Sequence, residues 1–176
     1  MKNRWLLHIS FWLAYVAHDT ALEYAWVRSS IEKATDLEVL WLSTWTDLVL
    51  LPPKIFLSYF LLYVVIDRGL MKNKNLWVIT AWTVPAVLIG VLMHRVTVYY
   101  YVTPKIYHEA WGDQRLFEVR RMLSALFDIG YAAALAVAMK LLRAYWLGRE
   151  REKGLVKEKL EAELKFLRNQ TNPHSL

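Results

Sequence analysis

Residues 76–100, LWVITAWTVPAVLIGVLMHRVTVYY, form the stretch that decides the fold class. Only His94 and Arg95, near its end, can carry a charge at neutral pH. A helix of about 20 mostly apolar residues is long enough to cross the hydrocarbon core of a bilayer. The stretch therefore predicts a transmembrane helix. Pro85 predicts a kink in it, because proline has no N–H to donate to the helical ladder.

Three other apolar stretches are long enough to cross a bilayer in the same way. They are Trp5–Val27, Trp45–Ile66 and Met122–Arg143. The first has no Ala-x-Ala-like cleavage site, so it predicts an uncleaved span and not a signal peptide. The start of the second stays open. Pro52 and Pro53 fit either a kink within one helix or a span that begins at the prolines after an interfacial segment.

The composition agrees with a small membrane protein. Hydrophobic residues make up 56% of the 176-residue chain, and its nine Trp and ten Tyr are residue types that gather at membrane interfaces. Attraction to anionic lipid accounts for the net charge of +6, so membrane lipid is an expected partner and nucleic acid is not. Because the chain has no cysteine, disulfides, thiol catalysis and cysteine-bound metal are excluded.

The distribution of Lys and Arg predicts the orientation, since cytoplasmic loops carry an excess of these residues. Four spans place both termini on one side, and more Lys and Arg residues lie near the spans on that side. Both termini are therefore expected in the cytoplasm. On the terminus side lie Lys2, Arg4, Arg68, Lys72, Lys74, Lys140, Arg143, Arg149, Arg151 and Lys153, and on the other side lie Arg28, Lys33, Lys105, Arg115, Arg120 and Arg121.

Ionisable side chains within the predicted spans form a candidate sensor site, because such groups are costly in a bilayer and often functional. Span parity places them in the same half of the bundle. Arg95 is the expected partner of the carboxylates, and Lys54 could pair with Asp47. The hypothesis is a polar cavity that binds a cation or small polar signal, or responds to pH. The alternative is internal neutralisation that keeps four helices in register. The candidate residues are Asp19, Glu23, Asp47, Arg95 and Asp128, with His18 and His94 in the same half.

The last stretch, LVKEKLEAELKFLRNQTNPHSL over residues 155–176, has a different pattern. Leu160, Leu164 and Leu167 are spaced four and three apart and Thr171 follows four later, which is the a/d seam of a short coiled coil. Lys and Glu cover the other faces. The fold class predicted for the chain is an all-α membrane protein. Four transmembrane helices form a sensory domain over residues 1–146, and a cytoplasmic coiled-coil helix follows over residues 147–176.

The seam leads directly into Gln170-Thr171-Asn172-Pro173-His174. This segment resembles the signature of the internal-region sensor histidine kinases, the LytTR-associated type, in which a coiled helix ends in L-[KR]-x-Q-[IM]-N-P-H-F-[LF]-[LF]-N. The chain departs from it at Thr171 and Ser175. By the resemblance His174 is the phosphoacceptor, and Gln170, Asn172 and Pro173 support the motif. The alternative is a solvated tail with a chance Asn-Pro-His.

The resemblance implies the membrane sensory region of a two-component sensor kinase in a bacterial inner membrane. It implies a homodimer, a LytTR-type response regulator as partner, and ATP with magnesium bound by a domain outside this chain. No cofactor is expected within the chain. Because the chain ends two residues after His174, it is expected to be truncated before the ATP-binding domain and inactive as a kinase alone.

Two other functions remain open from the sequence. One is a non-enzymatic four-span adaptor that regulates by dimerising with intact kinases. The other is a small transporter that uses the intramembrane Asp, Glu and Arg residues. No inverted repeat is visible in the hydropathy, which weighs against the transporter.

Overall fold

The computed structural model describes residues 4–30, 34–70, 72, 74–108 and 115–171. In these ranges the chain is helical and has no β-strand. The helices are α1 (Arg4–Ser30), α2 (Asp36–Phe60), α3 (Leu76–Thr97) and α4 (Val119–Thr171). Two π-helical segments continue α2 and α3, over Leu61–Leu70 and Val98–Ile106 respectively. The all-α prediction is confirmed for the described residues.

Among the described residues, three helices are long and apolar enough to cross a membrane, which gives the chain the character of a membrane protein. They cover Asp36–Gly69, Leu76–Ile106 and Val119–Arg168. Helix α1 does not reach the same hydropathy, because His8, Asp19 and Glu23 interrupt its apolar residues. Of the four predicted spans, three are therefore supported by length and composition.

Helix α2 begins well before the two prolines. Thr35 caps it by accepting a hydrogen bond from the Glu38 N–H at 3.3 Å, while the Glu38 carboxylate accepts one from the Thr35 N–H at 2.8 Å. This capping box satisfies two backbone donors at the helix start. Pro52 and Pro53 lie inside the helix without ending it. The prolines therefore lie within one continuous helix. This helix begins at Asp36, before the predicted start at Trp45, so the connector before α2 is shorter than predicted.

The π-helical segments have the wider turn that i→i+5 hydrogen bonds produce. The Tyr107 N–H donates to the Val102 carbonyl at 3.1 Å, and the Lys74 N–H donates to the Gly69 carbonyl at 3.0 Å. In the second segment the wider turn accommodates Pro104. That segment ends next to Tyr107, which takes part in the site described below.

The core of residues 1–136 is built from α2, α3 and α4. Gly90 on α3 allows the closest approach, because a Cβ at this position would lie 3.1 Å from Ile129 Cδ1. Small residues on α4 fill the rest of this contact, with Ala125, Ala132 and Ala133 almost fully buried. Gly130, in contrast, faces open space. The close packing of α4 therefore involves one of its faces.

The outer surface of the helices in residues 4–136 is rich in large apolar side chains. Trp5, Trp26, Trp77 and Phe127 are between 75% and 82% exposed. An apolar surface of this extent is unusual for a soluble monomer and suits contact with lipid. The tryptophans lie near helix ends, where interfacial aromatics are common.

The second compact unit, residues 137–176, is helical up to Thr171. Gly148 and Gly154 do not interrupt the helix. Lys157 and Lys159 lie 3.8 Å from Glu161 and Glu163, respectively, in i,i+4 pairs. The coiled coil stays a prediction.

Candidate functional site

A buried lysine lies at the centre of the helical bundle. Lys54 on α2 is 1% exposed, and its Nζ lies 2.5 Å from Asp19 Oδ2 on α1 and 2.9 Å from Asp128 Oδ1 on α4. One ammonium group thus pairs with carboxylates from two other helices. A charged ammonium can stay in a low-dielectric interior only with such partners.

The pairing extends to a fourth helix through His94 on α3. Its Nε2 lies 2.9 Å from Asp128 Oδ2, so Asp128 contacts Lys54 through one oxygen and His94 through the other. The Nδ1 of His94 is buried and has no hydrogen-bond partner among the described residues. We call Lys54, Asp19, Asp128 and His94 the lysine network; it connects all four helices.

Tyr15 covers the lysine network from α1. The Lys54 Nζ lies 5.5 Å from the centre of the Tyr15 ring, within the range of a cation–π contact. Tyr15 is 4% exposed, and its hydroxyl has no hydrogen-bond partner among the described residues.

A second polar group lies one turn further along α1, towards the end of the bundle where α2 begins. The Tyr107 hydroxyl donates to Glu23 Oε1 at 3.0 Å, and the Thr46 hydroxyl lies 3.5 Å from the Tyr107 oxygen. Asp47 is next to Thr46 on α2 and is 5% exposed. We call Glu23, Tyr107, Thr46 and Asp47 the Tyr107 network.

A third polar group lies towards the other end of the bundle. The Tyr59 hydroxyl is 3.1 Å from His8 Nδ1 and accepts a hydrogen bond from the Trp12 indole N–H at 3.2 Å. His8 on α1 thus has a specific partner on α2. This group ties α1 to α2 but contains no buried charge.

Arg95 is not in contact with the predicted carboxylates. It is 4% exposed and donates from Nε to the Leu116 carbonyl and from a terminal nitrogen to the Arg115 carbonyl, both at 3.3 Å. It therefore fastens the segment that leads into α4. The expected pairing of Arg95 with Asp19 and Glu23 is wrong, because Lys54 reaches into the bundle and takes Asp19 as its partner.

The expected pairing of Lys54 with Asp47 is also not the one observed. Asp47 Oδ2 is buried without a hydrogen-bond partner among the described residues. Of the five predicted sensor residues, the structure gathers Asp19 and Asp128 at one ammonium group. It places Glu23 and Asp47 in the adjacent Tyr107 network.

Comparison with known proteins gives no independent guide to this site. No family model, curated protein or solved structure matches the chain. The function must therefore be argued from the networks themselves.

The described part of the chain contains no group of three or more His, Asp or Glu side chains arranged to hold a metal ion. The polar groups instead contact each other, through a lysine, a histidine and tyrosines. Such an arrangement can hold helices at fixed separations, and it can also exchange protons or small cations with the aqueous phase.

Sequence reasoning missed the roles of Tyr15 and Tyr107. Tyr15 could have been found, because it lies four residues before Asp19 on the same helix face. Tyr107 carries no such signal, since it follows a proline in a predicted connector. Gln170 lies within α4, whereas Asn172, Pro173 and His174 lie outside the described residues.

Proposed function

We propose that this chain is the membrane sensory region of a two-component sensor histidine kinase. It crosses a bacterial inner membrane four times with both termini in the cytoplasm. It signals through a homodimeric coiled coil to a phosphoacceptor at His174. The observation that carries the proposal is helix α4, Val119–Thr171, which contains Asp128 of the lysine network and includes Gln170 and Thr171 of the motif.

Helix α1 is the fourth span in this proposal, although its average hydropathy is low. Its polar residues Asp19 and Glu23 face partners on other helices, while Leu13 and Leu22 point outward and are more than half exposed. Trp5 and Trp26 are 21 residues apart, which corresponds to about 31 Å of helix. That distance matches a hydrocarbon core of about 30 Å with an aromatic residue at each interface.

The exposed leucine seam of the tail supports dimerisation. Leu160, Leu164 and Leu167 are each more than half exposed in the single chain, and a second copy would bury them. With Leu160 at position d, Glu163 falls at g and Arg168 at e. In a parallel dimer these positions face each other across the seam, so opposite charges favour this register.

In the proposed reaction the neutral His174 imidazole attacks the γ-phosphorus of ATP, and the bond to the ADP oxygen breaks. ATP and magnesium would be held by a separate domain, as the resemblance implies. Phosphoryl transfer depends mainly on positioning and electrostatics. We expect Pro173 to contribute to positioning, because a proline disfavours the helical region for the residue that precedes it.

The test is phosphorylation of the complete gene product, read from its DNA through and beyond the Leu176 codon. Purified protein in nanodiscs is incubated with Mg-ATP labelled at the γ-phosphate. We expect acid-labile, base-stable labelling that His174→Ala abolishes and His108→Ala retains. Labelling that survives His174→Ala, or no labelling when a kinase ATP-binding domain is present, would refute the proposal.

A further inference from the structure

The interior of the bundle contains more negative than positive groups. Four carboxyl groups face it from α1, α2 and α4, namely Asp19, Glu23, Asp47 and Asp128. Lys54 contacts two of them, Asp19 and Asp128. Arg95 is occupied at the Arg115 and Leu116 carbonyls.

His94 contacts a carboxyl group that Lys54 already contacts. Its Nε2 faces Asp128, whereas its buried Nδ1 has no partner among the described residues. The positive side chains of the described interior therefore contact Asp19 and Asp128, and none of them contacts Glu23 or Asp47.

The charge is least compensated at Asp47. Asp19 and Asp128 contact the ammonium group, and Glu23 accepts a hydrogen bond from Tyr107. Asp47 is 5% exposed and faces Asp19 and Glu23, and its Oδ2 has no partner among the described residues. An ionised carboxylate is very costly in such surroundings, so the position requires a bound positive charge.

Two hydroxyl groups next to Asp47 are also buried. Ser43 lies one turn before Asp47 on the same face of α2 and is fully buried. Thr20, which is on α1, lies beside Asp47 and is 8% exposed. The Ser43 oxygen has no hydrogen-bond partner among the described residues, and the Thr20 hydroxyl faces the Asp47 carboxyl group. Hydroxyl oxygens can donate to or accept from a carboxyl group, and they can also bind a small hard cation.

We propose that the Asp47 carboxyl group, together with the Ser43 and Thr20 hydroxyls, binds one monovalent cation, either a proton or a sodium ion. The titratable groups that face this site are Asp19 and Glu23 from α1, Lys54 from α2 and Tyr107 after the second π-helical segment. Tyr15 from α1 and Asp128 from α4 lie around Lys54, and His94 from α3 contacts Asp128. This inference rests on the charges of the bundle and does not depend on the kinase proposal.

The experiment measures the protonation of carboxyl groups by infrared spectroscopy on the whole chain in nanodiscs at neutral pH. Spectra and thermal unfolding are recorded in choline chloride and in sodium chloride at equal ionic strength. The variants are Asp47→Asn, Glu23→Gln and, as a control on the same helix, Asp36→Asn, whose side chain is 73% exposed. Circular dichroism verifies that each variant is folded.

We expect a protonated-carboxyl C=O band in the wild type that Asp47→Asn loses and that Glu23→Gln and Asp36→Asn retain. A band unaffected by sodium identifies the cation as a proton. A band that sodium removes, or a sodium-dependent rise in melting temperature that Asp47→Asn abolishes, identifies it as sodium.

Two results would overturn the inference. The first is a wild type with neither a protonated-carboxyl band nor a sodium effect; this result needs no variant and holds even if Asp47→Asn does not fold. The second is a band that Glu23→Gln removes and Asp47→Asn leaves intact, because the cation would then reside on Glu23.

Discussion

Replacing Lys54 by methionine tests the lysine network most directly. Methionine keeps an unbranched apolar chain out to the ε position but removes the ammonium group that Asp19 and Asp128 share. Removing one partner of a buried ion pair costs about 3–5 kcal/mol, because the remaining charge is left buried and uncompensated. Two carboxylates are affected here, although the Asp128 side chain is 32% exposed and can recover some hydration. We therefore expect Lys54→Met to lower the free energy of unfolding by about 3–5 kcal/mol.

The free energy of unfolding is measured in mixed micelles by titration with a denaturing detergent. Lys105→Met removes the same charge from an exposed position and should change the value by less than about 0.5 kcal/mol. The triple variant with Asp19→Asn and Asp128→Asn removes the uncompensated charges and should regain at least half of the loss.

The reasoning fails under either of two results. A loss below about 1 kcal/mol would mean that the ammonium group does not compensate the two carboxylates. A triple variant as unstable as Lys54→Met would mean that the loss comes from packing of the side chain and not from charge.

Three other perturbations test separate parts of the structure. Gly90→Val should lower the free energy of unfolding by about 1–3 kcal/mol, because a Cβ there meets α4 at 3.1 Å. Tyr107→Phe should cost about 1–3 kcal/mol, since it leaves the Glu23 carboxyl group without its hydrogen-bond donor. The chain has no cysteine, so Ser29→Cys introduces a single thiol. This thiol should react with an impermeant maleimide added to intact cells, because the four-span topology places the end of α1 on the outer side.

Each of these predictions has a matched control. Gly130→Val adds the same side chain where the structure has open space and should be close to neutral; equal losses at Gly90 and Gly130 would contradict the close approach. Tyr101→Phe removes an exposed hydroxyl and should have little effect, so a comparable loss would contradict the role of Tyr107. Arg149→Cys should react only after lysis, and labelling of Ser29→Cys only after lysis would exclude α1 as a span.

The helices could be predicted because apolar length is a local property of the sequence. Leu76–Thr97 needed only its own residues to be recognised. The start of α2 was left open because Pro52 and Pro53 weaken a helix locally, whereas the Thr35–Glu38 capping box and packing of both faces stabilise it. The composition of α1 alone does not identify it as a span. The polar groups that lower its hydropathy have partners on other helices, which its own sequence does not reveal.

The candidate site could be predicted in its residues but not in its pairings. Asp19, Asp47 and Asp128 stand out because carboxylates are rare in apolar stretches. Which cation reaches them depends on helix rotation and depth, which span parity does not determine. Lys54 therefore pairs with Asp19 and Asp128 and not with the predicted Asp47. Arg95 is bound by backbone carbonyls and not by the predicted carboxylates.

The partners of Lys54 are made at very different times during translation. Asp19 precedes it, so the first two helices can neutralise one charge as soon as both have left the ribosome. Asp128 lies on α4, which is synthesised after α1, α2 and α3, and His94 reaches Lys54 only through it. We expect α1 and α2 to enter the bilayer as a pair, with the second helix helping the first, less apolar one to insert. The lysine network is then complete only when α4 arrives, so synthesis of α4 closes the network that α1 began.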